Sequence, residues 1–198
     1  MLDTHARRWV EPVIGAVARL LHRAGLSANA VTVLAMLTGV LAALWVAAGW
    51  AWTGIAVLWL SGLLDAADGA LARMTRTSPF GAILDITFDR VVEIAMIVAL
   101  AWRYPQARFI LVILAGIIAV AMSLFLSIAA ALRNHSVKSF HYAPGLGERT
   151  EAFICISLMI AGPGHLAAWT GLFIGVIVYT MAQRLRHAAR VLAAEDAG

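Results

Sequence analysis

The chain has 198 residues, of which 62% are hydrophobic and 13% charged, with a formal net charge of +4. A soluble domain of this length needs a larger polar surface to cover its core, so an ordinary soluble enzyme or nucleic-acid-binding domain is excluded. The single cysteine, Cys155, excludes a disulfide framework within the chain.

In chain order, the first predicted element lies within residues 1–25, where Trp9, Val13, Val17, Leu20 and Ala24 recur at steps of three and four. That spacing suits an amphipathic juxtamembrane helix on the cytosolic leaflet, and equally a short helix packed on the bundle. No cleavable signal is expected. Long, nearly charge-free runs then follow at 31–50, 52–64, 83–102, 109–132, 152–161 and 166–182. Such runs mark bilayer-spanning helices, the fifth being short for a hydrocarbon core of about 30 Å. The expectation is an all-α integral membrane protein of six transmembrane helices. It is one domain over 1–198, with a juxtamembrane segment 1–25, a six-helix core 26–183 and a cytosolic tail 184–198.

Charge placement orients the bundle. With both termini cytosolic, only Arg103 and Arg108 of the 15 basic residues fall on the outer side. Such a bias is the positive-inside pattern, so the net charge reflects topology and anionic lipid rather than nucleic acid. Trp50, Trp52, Trp102 and Trp169 fall at outer span ends and suit an interfacial belt, while Trp45 and Trp59 suit packing or lipid contact. Gly39, Gly54, Gly116, Gly171 and Gly175 are expected at close helix contacts.

Residues 64–93 read LDAADGALARMTRTSPFGAILDITFDRVVE. Asp65 and Asp68 end the second span, and Asp85 and Asp89 begin the third. On helices, spacings of three and four put each pair on one face, and the short link lets the two faces meet. Four carboxylates converging near a membrane surface repel one another unless a cation neutralises them. All-oxygen ligands select hard ions such as Mg²⁺, Mn²⁺ or Ca²⁺, and four suffice for one ion or two about 4 Å apart. Gly69 and Ala72 leave room for a substrate beside the helix backbone, and Arg73 offers a fork suited to phosphate. The bland alternative, in which the aspartates cap helices or pair with Arg73, Arg76 and Arg90, suits one aspartate better than four at these spacings.

The segment resembles the signature of the CDP-alcohol phosphotransferase family, D-x-x-D-G-x-x-A-R, a spacer, then G-x-x-x-D-x-x-x-D. Asp65, Asp68, Gly69, Ala72, Arg73, Gly81, Asp85 and Asp89 match it, with a spacer one residue shorter than the usual pattern. Asn29 and Thr32 resemble the family's entry to its first span, with Ala28 where proline is typical, and residues 147–151 resemble its basic entry to the fifth. The similarity covers roughly 26–183 and is nearest to small bacterial inner-membrane members. It implies transfer of a phosphatidyl group from a CDP-linked lipid, CDP-diacylglycerol, to an alcohol acceptor with release of CMP. Asp65, Asp68 and Asp85 are then ligands of Mg²⁺ or Mn²⁺, one or two ions. Asp89 completes the set and serves as catalytic general base, and Gly69, Ala72, Arg73, Asn29 and Thr32 face the nucleotide. The same resemblance puts a multi-pass enzyme in the bacterial inner membrane with its site facing the cytosol; a homodimer is compatible with it.

Before the fifth span, Arg133, His135, Lys138, His141 and Arg149 cluster. Beside an anionic centre, Arg133, Lys138 and Arg149 could hold a phosphorylated acceptor such as glycerol 3-phosphate or another phosphorylated polyol such as inositol phosphate; they also serve as positive-inside residues. His141 lacks a nucleophile beside it and is expected to be solvated. Two rival classes make different demands on the sequence. An ion-coupled transporter would carry midplane charges in repeated halves, which are not visible. In a non-catalytic scaffold the aspartates would be dispensable.

Overall fold

The computed structural model describes residues 2–135 and 149–196. Among these residues it is all helical, with α1 Leu2–Arg23, α2 Ala28–Ala47, α3 Ala51–Met74, α4 Pro79–Arg103, α5 Arg108–His135, α6 Arg149–Ala161 and α7 Leu166–Asp196. Short 3₁₀ turns at Pro105–Ala107 and Pro163–His165 precede α5 and α7. Lys138 and His141 lie outside the described residues.

Local chemistry sets these boundaries. The hydroxyl of Ser27 accepts from the Ala30 amide (3.3 Å) and starts α2. Ser78 does the same for α4 through the Gly81 amide (3.0 Å), with Pro79 in the first turn where its missing N–H costs nothing. The turn from α2 to α3 depends on Gly49, whose φ of 93° is strained for a side chain. There the Gly49 amide donates to Val46 and that of Trp50 to Trp45, closing α2 in a Schellman motif. The rings of Trp45 and Trp50 seal it edge to face at 5.8 Å.

By length and composition, α2, α3, Pro105–Leu132 and Pro163–Ala193 can cross a membrane. The other two expected spans do not meet that criterion. Asp85, Asp89, Arg90 and Glu93 interrupt the apolar character of the 25-residue α4, and α6 has 13 residues. Large apolar side chains stay exposed along the helices, including Leu44, Val98, Phe109 and Val112. Faces of that kind are covered by lipid in a membrane protein. Helix α7 runs on to Asp196, so the expected tail after residue 183 is mostly helical.

The core is built from α2, α3 and α4 against α5 and α6, with Ala42, Leu58, Val92, Met96, Leu111, Leu114, Ile156 and Met159 buried. A Cβ on Gly39 would lie 2.5 Å from Val92 and 2.9 Å from the Ser61 hydroxyl. One on Gly54 would lie 2.5 Å from Val46. These glycines let the helices pack closely, and the buried Ser61 hydroxyl donates to the Ala35 carbonyl at 2.7 Å across α2 and α3. Gly116, Gly171 and Gly175 correct the expectation, because nothing lies within 4 Å of a side chain added there. Helix α1 packs on α3, with Ala18, Val31 and Leu71 forming a small second cluster. Trp50, Trp52 and Trp102 are exposed, whereas Trp169 is half-buried and folds against Gly162.

Candidate active site

Helices α3 and α4 both pack on α2, and a link of only residues 75–78 joins the end of the first to the start of the second. Thr75 closes α3, its amide and hydroxyl both donating to the Leu71 carbonyl at 3.0 and 2.8 Å. Ser78 then opens α4. This arrangement brings one carboxylate oxygen each from Asp65, Asp68 and Asp85 within 4.8 Å of one another. Asp68 is buried and the other two half-buried. At that separation, ionised carboxylates repel by roughly 3 kcal/mol per pair at an effective dielectric near 20. An all-oxygen anionic set of this geometry fits a hard divalent cation, which would compensate the charge and polarise a phosphoryl oxygen when bound. Asp89 is not among the three; it lies one turn beyond Asp85 and faces an adjoining cavity.

The nucleotide-side expectations divide. The Nη1 of Arg73 comes 3.5 Å from where a Gly69 Cβ would sit, so the guanidinium folds back over the glycine beside the aspartates. Asn29, at the start of α2, places its Oδ1 3.1 Å from a Cβ built on Gly81, which ties two of the matched segments together at one end of the bundle. Ala72 is half-buried on α3. Thr32 is buried, and its hydroxyl donates to the Ala28 carbonyl at 3.0 Å in its own helix.

Beyond the aspartates, a cavity of about 210 Å³ opens between α4, α5, α6 and α7. Its polar lining is Asp85, Asp89, Arg90, Glu93, Thr180 and Arg184. Arg90 pairs with the buried Glu93 at 2.6 Å. The Arg184 guanidinium lies 4.9 Å from the centroid of Phe125. Of the three cations expected for the acceptor, Lys138 is outside the described residues. Arg133 and Arg149 are placed at the end of α5 and the start of α6. Arg184 and Glu93 were missed from sequence, although both had a signal. Glu93 continues the Asp85, Asp89 face by one turn, and Phe173, Ile177, Thr180 and Arg184 form a single stripe on α7.

The profile of the CDP-alcohol phosphatidyltransferases matches residues 26–193, which include all of these side chains. The chain belongs to the CDP-alcohol phosphatidyltransferase family. Family members are enzymes of phospholipid synthesis that depend on divalent cations, and the aspartate group is such a cation site in its donor chemistry. Inner membrane protein YnjF of Escherichia coli is 31% identical to this phosphatidyltransferase over 87% of this chain and 88% of its own. Phosphatidylinositol phosphate synthase of Mycobacteroides abscessus is 32% identical over 93% and 87%. A solved Mycobacterium tuberculosis phosphatidylinositol phosphate synthase with CDP-DAG bound superposes with a TM-score of 0.71 at 28% identity. It covers 89% of this chain and 94% of its own. The same enzyme with manganese and citrate superposes equally well, over 88% of each chain.

Proposed function

We propose that this phosphatidyltransferase moves the phosphatidyl group of CDP-diacylglycerol onto inositol phosphate and releases CMP. The observation that carries the reading is the aspartate cluster of α3 and α4 opening directly onto a cavity with Arg184 in its wall. Relatives bearing the name phosphatidylinositol phosphate synthase, and a solved one that binds CDP-DAG, support the donor and favour inositol phosphate over glycerol 3-phosphate. Asp65, Asp68 and Asp85 would hold the cation. Gly69, Ala72, Arg73 and Asn29 would bind the nucleotide end, with Thr32 supporting the helix entry. The acceptor hydroxyl would enter from the cavity, give its proton to Asp89 and attack the lipid-side phosphorus, so that CMP leaves on the opposite side. Arg184, together with Arg133, Lys138 and Arg149, would hold the acceptor phosphate.

The concentration of basic residues at the aspartate end supports a cytosolic site in a bacterial inner membrane. The whole of α4 is long enough to cross, with Asp85, Asp89, Arg90 and Glu93 turned to the cavity rather than to lipid, and α6 can cross together with its flanking residues, giving six spans. Helix α1 would lie along the cytosolic leaflet. Exposed apolar faces serve lipid or a second copy alike, and light scattering of the detergent-solubilised protein decides whether it is a homodimer.

The test is purified protein in detergent with CDP-diacylglycerol, Mn²⁺ and separate acceptors: inositol phosphate, glycerol 3-phosphate, serine and phosphatidylglycerol. Mass spectrometry should find a phosphatidylinositol phosphate product. A product from serine alone, or no CMP release with any acceptor, would sink the proposal. Cysteine labelling should place position 138 inside the cell and position 106 outside; the reverse would overturn the orientation.

A further inference from the structure

Arg184 on α7 and Phe125 on α5 face each other across one end of the cavity, and both are half-buried. The guanidinium carbon stands 4.9 Å from the ring centroid, within the range where an aromatic quadrupole attracts a cation. In a partly desolvated wall this contact matters more than at an open surface, because less water competes for the charge. A long side chain also has rotamers to lose on binding, so a surface that fixes it beforehand reduces the entropy cost of holding a ligand. Thr180, one turn before Arg184 on the same stripe of α7, is buried with its hydroxyl donating to the Val176 carbonyl at 2.8 Å. Contact between a ring and a guanidinium uses none of the N–H donors, so it does not compete with a tetrahedral oxyanion for them.

We infer that Phe125 is a positioning residue for this reaction: its ring holds the Arg184 guanidinium in the cavity wall and thereby sets the affinity for an anionic acceptor. The inference rests on the acceptor-cavity reading above. It assigns a role to an apolar residue on a helix that contributes no ligand to the aspartate cluster.

The experiment uses the full chain in detergent and compares wild type, Phe125→Leu, Phe125→Trp, Arg184→Ala and the Phe125→Leu/Arg184→Ala double variant. Phe125→Leu keeps apolar volume and removes the ring. It should raise the KM for inositol phosphate by about 2–30-fold, the range of a cation–π contact, with little change in the KM for CDP-diacylglycerol. Phe125→Trp should stay near wild type, and Phe125→Leu should add little in the Arg184→Ala background. A second readout needs no acceptor. The Arg184 side-chain NMR signals, assigned by their loss in Arg184→Ala, should be ring-shifted in wild type and relax toward ordinary values in Phe125→Leu.

If Arg184→Ala raises the acceptor KM while Phe125→Leu leaves both it and the NMR shift unchanged, the positioning role is wrong and the cavity reading survives. If the NMR shift behaves as expected while Arg184→Ala leaves acceptor kinetics untouched, the cavity reading fails, and the role in acceptor affinity fails with it. Equal loss of affinity for both substrates in Phe125→Leu would mark the ring as core packing and overturn the inference.

Discussion

The α2–α3–α4 side and the α5–α7 side of the molecule are built on different plans. In the first, Gly39 seats the side chains of Val92 and Ser61, Gly54 lies against the backbone of α2, and the Ser61 bond to Ala35 locks the crossing of α2 and α3. In the second, Gly116, Gly171 and Gly175 meet open space, and the helices leave a cavity between them and α4. The contrast fits the proposed chemistry. Carboxylates that share an ion must be held to within fractions of an ångström, whereas an acceptor needs room to enter and leave.

The largest effect that can test this contrast lies on the rigid side. Asp65→Asn, Asp68→Asn and Asp85→Asn should each lower CMP release by more than about 100-fold, a loss above that typical for residues merely supporting metal ligands. Thermal unfolding should stay close to wild type. Unchanged turnover in excess chelator would show that the cluster holds no required cation.

Asp89 lies at the border between the two sides. Asp89→Asn should reduce single-turnover CMP release by about 10²–10⁴-fold, the usual contribution of a general base, with CDP-lipid affinity by calorimetry nearly intact. If binding collapses with turnover, Asp89 belongs to the rigid ligand set; surviving turnover places the base elsewhere.

On the open side, Arg184→Ala should raise the acceptor KM by about 10–150-fold, as expected for loss of a hydrogen bond to a charged group. The KM for CDP-diacylglycerol should move little, and an equal rise in both would merge the cavity with the nucleotide site. The smallest effects come from paired glycine substitutions read by thermal unfolding in detergent. Gly39→Ala should destabilise by about 1–3 kcal/mol through overpacking, and Gly171→Ala should be neutral or stabilise by up to about 1 kcal/mol. Similar losses at both positions would erase the distinction.

The rigid side was largely legible in the sequence. Carboxylates at helical spacings in an apolar chain have few ordinary explanations, and Gly69, Arg73 and Gly81 fall around them where the structure also places them. The open side was not, because a cation at the end of a span reads as topology whether or not it lines a cavity. Arg184 was hidden in that way, and Glu93 by its place inside an apolar run. Glycine alone gives no sign of whether a neighbour is near, so Gly116, Gly171 and Gly175 read the same as Gly39. The end of α7 escaped for a related reason: apolarity marks how far a helix touches lipid or core, not where its backbone bonds stop.

The link between α3 and α4 bears on how such a site can diverge. Thr75 terminates one helix and Ser78 initiates the next through their own hydrogen bonds, so neither end borrows its geometry from the other. A residue lost between Arg73 and Gly81 therefore shortens the connection without rotating either aspartate-bearing face. A change of length at this link can be absorbed there, with the spacing inside each aspartate pair set by its own helix.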